Sequence, residues 1–125
     1  MYELKIITRF AAAHQLQMVA KQCENLHGHN WKIEVCVAGK ELNHAGVIID
    51  FGELKALLGK IIDSLDHKYL NELEILGGLP PSSENVARYI AQALDGELSA
   101  PGVRVKSVTA WESDDACATY RMATE

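Results

Sequence analysis

The chain has 125 residues, 48% of them hydrophobic and 23% charged, with a formal net charge of −5. That size suits one domain, residues 1–125, with a real core, and the composition is globular, without low-complexity tracts. The acidic balance argues against a nucleic-acid partner, whose phosphates are met by basic residues, and no apolar run approaches the roughly 20 residues that span a bilayer.

The N-terminus, MYELKIITRF, lacks the basic-then-apolar layout of a signal peptide. Residues 2–14 alternate, with Leu4, Ile6, Thr8, Phe10, Ala12 and His14 on one face, which predicts a strand. Residues 15–26 then read as a long loop, a length that usually signals function or disorder. Alternation resumes over 27–38, where His27, His29, Trp31, Ile33, Val35 and Val37 share a face. The period then changes. Phe51, Leu54, Leu57, Leu58, Ile61, Ile62 and Leu65 recur at helical spacing and predict an amphipathic helix over 51–65.

The stretch GGLPPSS (77–83) breaks the chain, and either Ser82 or Ser83 can cap a second helix with Glu84 in its first turn. That helix presents Val86, Ile90, Ala93, Leu94 and Leu98 and ends near Pro101-Gly102. Residues 103–112 and 116–123 read as two more strands joined by Ser113-Asp114-Asp115. The order ββααββ predicts an α+β domain, a four-stranded antiparallel sheet with two helices on one face. Cys23, Cys36 and Cys117 form no close-spaced pair, so free thiols and a cytoplasmic setting are expected.

The chemistry concentrates where the second strand begins. Residues i and i+2 of a strand point to the same side, so His27 and His29 can converge on one ion, and Gly28 between them allows close backbone approach. His14 ends the first strand, the natural neighbour of the second. Three imidazoles without a fourth protein ligand are the pattern of a catalytic zinc site with one position left for substrate or water. Structural zinc sites usually close their shell with short-spaced cysteines, which this chain lacks.

The segments FAAAH (10–14), CENLHGH (23–29), IDF (49–51), LDH (65–67), SSEN (82–85) and WE (111–112) occur in the order seen in the 6-pyruvoyltetrahydropterin synthase / 6-carboxytetrahydropterin synthase family. The chain resembles that family over about residues 4–122. The resemblance implies that His14, His27 and His29 bind one zinc ion per subunit, with Cys23, Asp66 and His67 as the catalytic set. Glu112 is implied as the pterin anchor, since a carboxylate can accept two adjacent ring N–H groups. Ser83 and Glu84 either help to recognise the pterin or serve the helix cap, and both roles can coexist.

The three-residue gap between Cys23 and His27 resembles the carboxytetrahydropterin branch, which acts in queuosine precursor synthesis. Its substrate is 7,8-dihydroneopterin triphosphate, whose side-chain hydroxyls zinc can bind as a Lewis acid. Of the cations that could meet the triphosphate, Arg9, Lys21, Lys68, Arg104 and Arg121 are candidates, and the sequence assigns none. The resemblance further implies the tunnelling fold, in which subunits join their sheets into a barrel as trimers or hexamers with active sites between subunits. No nucleic acid or membrane enters this expectation.

Overall fold

The computed structural model describes residues 1–16 and 27–123, with the side chain of His27 outside the described set. Cys23 and Lys21 therefore lie outside the described residues. The elements in chain order are β1 (Tyr2–His14), β2 (His27–Gly39), α1 (Phe51–Asp63), β3 (Lys68–Tyr69), α2 (Ser83–Glu97), β4 (Arg104–Ser113) and β5 (Ala116–Arg121), with two short 3-10 turns between β3 and α2.

Both long strands keep the period that the sequence shows. On β1, Ile6, Phe10, Ala12 and His14 are buried while Glu3, Lys5, Ile7 and Arg9 are exposed. On β2, Trp31, Ile33, Val35 and Val37 are fully buried. These side chains meet Leu54, Leu58, Ile61 and Ile62 of α1 and Val86, Ile90 and Leu94 of α2 in one contiguous core. Both helices therefore lie on one face of the sheet, and the opposite face is left to the polar set.

The sheet has five strands rather than the expected four, in the order β3-β1-β2-β4-β5. The addition is β3, whose Lys68 and Tyr69 pair parallel to Ala12 and Ala13. A two-residue strand carries no period to read, so sequence alternation passes over it. α1 also stops two residues short of the expected end: the Ser64 and Leu65 N–H groups bond to Ile61 and Ile62 in a tightened final turn. Asp50 caps its start, accepting the Glu53 N–H at 3.1 Å. Ser113 belongs to β4, so the β4–β5 turn is the Asp114-Asp115 pair.

Candidate functional site

β1 and β2 pair antiparallel from Tyr2 opposite Gly39 to His14 opposite His27, with His29 opposite Ala12. This register brings the last residue of one strand across from the first residue of the other. His14 is almost fully buried, and its Nδ1 lies 2.7 Å from the Pro81 carbonyl oxygen. A carbonyl can only accept, so Nδ1 carries a proton and Nε2 faces the other way. That Nε2 lies 2.9 Å from Glu112 Oε1, and the Nε2 of His29 lies 3.0 Å from the same oxygen.

Two ring nitrogens meeting one carboxylate oxygen are satisfied either by a ring proton donated to Glu112 or by a cation held among the three. The donor atoms of His14, His29 and Glu112 all lie within 4.8 Å of one another. Imidazole nitrogen with carboxylate oxygen is a donor set that suits zinc. The residues present thus fit a divalent ion. The structure adds Glu112 to the two histidines, where the sequence reading has three histidines and reserves the glutamate for the pterin. Its other oxygen, Oε2, accepts the Ser83 hydroxyl at 3.3 Å.

α2 explains how Ser83 is placed. Ser82 is the cap and accepts the Asn85 N–H at 3.1 Å. Ser83, the first helical residue, is thereby freed to face Glu112. Glu84 is exposed and its side chain makes no hydrogen bond or ion pair among the described residues, so the structure does not bring it to the cluster. A carboxylate in the first turn favours the helix dipole.

Asp66 and His67 do touch. Asp66 Oδ1 accepts the Ala11 N–H at 2.9 Å and lies 3.0 Å from His67 Nδ1. The Ala11 N–H holds the Asp66 carboxyl below the usual carboxylate range against desolvation, and the His67 ring adds to the lowering. His67 has φ +58, a left-handed conformation that a side chain with a Cβ rarely adopts. Its ring is 81% exposed. With Nδ1 committed to Asp66, Nε2 is the nitrogen left to exchange a proton.

An open pocket of about 510 Å³ connects the two groups: His29 and His67 both line it, with Gly28, Lys68 and Tyr69. A Cβ at Gly28 would meet nothing within 4 Å. The glycine therefore keeps pocket space open, and within the described chain no backbone closes on it. Of the candidate cations, Lys68 is in this pocket, Arg104 is held by Asp95 at 2.7 Å, and Arg9 and Arg121 lie on the sheet face opposite the helices. Sequence reading missed the Pro81 carbonyl, because a backbone acceptor leaves no residue-type signal.

A model of the 6-pyruvoyl tetrahydropterin synthase family matches residues 3–123. The chain belongs to that family. It is 37% identical over 117 residues to a candidate 6-carboxy-5,6,7,8-tetrahydropterin synthase of Archaeoglobus fulgidus, covering 93% of this chain and 92% of that one. It is 33% identical over 107 residues to the dihydroneopterin monophosphate aldolase of Pyrococcus furiosus, covering 85% of each. The fold is that of the 6-pyruvoyl tetrahydropterin synthase of Caenorhabditis elegans, with a TM-score of 0.84 at 26% identity over 98% of this chain and 96% of that one. It is the α+β tunnelling fold of the expectation, and membership in the 6-pyruvoyl tetrahydropterin synthase family supports a lyase acting on pterins. No helix among the described residues is long and apolar enough to cross a membrane.

Proposed function

We propose that this protein is a cytoplasmic, zinc-dependent carbon–carbon lyase that converts 7,8-dihydroneopterin triphosphate to 6-carboxy-5,6,7,8-tetrahydropterin, acetaldehyde and triphosphate in queuosine precursor synthesis. The observation that carries it is the convergence of His14 and His29 Nε2 on one point beside Glu112, in a family member with the short C-x-x-x-H-G-H gap. His14, His27 and His29 would hold one zinc per subunit, with Glu112 within reach. Bound zinc supplies Lewis acidity toward the side-chain oxygens.

The chain's own groups do the rest. Glu112, steadied by Ser83, accepts the paired N–H groups of the pterin. His67 moves a proton at Nε2 while Asp66 fixes its tautomer. Cys23 is the catalytic thiol base in this reading, with His67 the second base or acid, and Lys68 in the pocket meets the phosphates. The site serves a homo-oligomer, a trimer or hexamer, in which a neighbouring subunit completes each pocket.

A second reading has one specific support, the aldolase relative from Pyrococcus furiosus. An aldolase acting on the monophosphate would break the side chain without expelling phosphate. The product assay separates the readings. Zinc-loaded protein is given each substrate, and the pterin and aldehyde are followed by mass. Acetaldehyde with a carboxylated pterin supports the proposal. Triphosphate release with all carbons retained moves the protein to the pyruvoyl branch. A phosphorylated two-carbon aldehyde from the monophosphate makes it an aldolase, and no reaction leaves a metal- or pterin-binding module.

A further inference from the structure

Trp31 lies beneath the imidazole pair and is fully buried. Its indole stacks on Phe10, with ring planes 2° apart and centroids 5.7 Å apart. It meets both candidate ligands edge to face, His14 at 5.0 Å and 73°, His29 at 6.0 Å and 85°. The two imidazoles stand 4.9 Å apart at 77°. Three rings, each steeply inclined to the other two, thus form a closed triangle on the parallel base of Phe10.

Such a triangle limits rotation. The χ2 torsion of histidine is broad when the ring is free, and edge-to-face contacts hold aromatic rings at a set inclination. Turning either imidazole by a large angle would drive its edge into the indole or into its partner. Trp31 also carries a cost: its indole N–H is buried with no hydrogen-bond partner among the described residues. Filling volume alone would be served by phenylalanine without that cost. The extent of the indole, reaching both histidines at once, is what a smaller ring would lack.

We infer that Trp31 is a positioning residue for the metal site: it fixes the ring planes of His14 and His29 so that both Nε2 atoms face one point before an ion arrives. The inference rests on the metal reading above. Groups that orient metal ligands commonly change affinity by about 10- to 100-fold when removed.

The test is zinc affinity, measured by competition with a chromophoric chelator, for the wild type, Trp31→Leu and Trp31→Phe, each with its thermal midpoint. Ile90→Val, a core change on α2, is the control for general loss of stability. Trp31→Leu is expected to bind zinc about 10-fold or more weakly. Trp31→Phe is expected to lose less, and Ile90→Val to lose stability without losing affinity. A folded Trp31→Leu with wild-type affinity overturns the inference, as does an equal affinity loss in Ile90→Val. If Trp31→Leu does not fold, wild-type affinity in Trp31→Phe overturns it. A wild type that takes up no zinc removes the metal reading and this inference together; zinc on the wild type with unchanged variants removes only this one.

Discussion

A single oxygen of Asp66 meets both the Ala11 N–H and the His67 ring, so one carboxylate joins strand edge to candidate base. Its pKa is lowered in the fold. The stabilisation is therefore fully present above the unfolded carboxylate value and lost as pH falls through the lower folded value. Wild-type thermal midpoints should fall as pH drops below about 4, and Asp66→Asn should remove part of that fall. At neutral pH the same variant should lose about 100-fold in kcat with little change in KM, because the His67 tautomer is no longer fixed. Glu112 has two possible partners, and Glu112→Gln separates them. If the carboxylate serves the pterin, KM rises and zinc affinity holds; if it ligates the ion, zinc affinity falls.

The elements explain why neighbouring residues do different work. Ser82 and Ser83 are chemically identical and adjacent, so the sequence leaves the cap open between them. The structure divides the roles, with Ser82 on the Asn85 N–H and Ser83 on Glu112. Ser82→Ala should cost about 1 kcal/mol in urea unfolding and leave KM alone. Ser83→Ala should do the reverse. The turn between α1 and β3 holds His67 at positive φ. His67→Gly should therefore melt no lower than the wild type while losing turnover, since glycine adopts that conformation freely.

Strands and helices with a hydrophobic period were legible in the chain, and so were His14 and His29, which extend the period of β1 and β2 to their ends. β3, the Pro81 carbonyl and the His67 conformation were not. Each is set by a backbone path across the fold and not by any residue's type. Cys23, read from the motif, and the His27 side chain, read from strand alternation, lie outside the described residues.

At the scale of the molecule, the sheet leaves edges open among the described residues. β3 covers only Ala12 and Ala13 of β1, and β5 has a neighbour on one side. Open edges invite pairing with another chain. Light scattering should therefore give the mass of a trimer or hexamer, and a monomer at micromolar concentration would remove the proposed shared pockets. The sheet face opposite the helices carries Lys5, Arg9, Lys32, Lys106 and Arg121 against Glu3 and Glu34. That face is basic in a chain whose total is −5. An assembly that gathers several copies of it would concentrate small anions there.

His14 and Glu112 are 98 positions apart in the sequence, yet they meet at 2.9 Å. An ion gripped by both would act as a reversible cross-link across nearly the whole chain. For a covalent bridge closing a loop of that length, the chain-entropy model gives about 4.7 kcal/mol of stabilisation. A metal tie that opens and closes would capture part of it. Adding a chelator should accordingly lower the thermal midpoint of the entire domain rather than loosen the pocket alone, and calorimetry of the zinc-loaded and chelated protein would register it as one shifted transition.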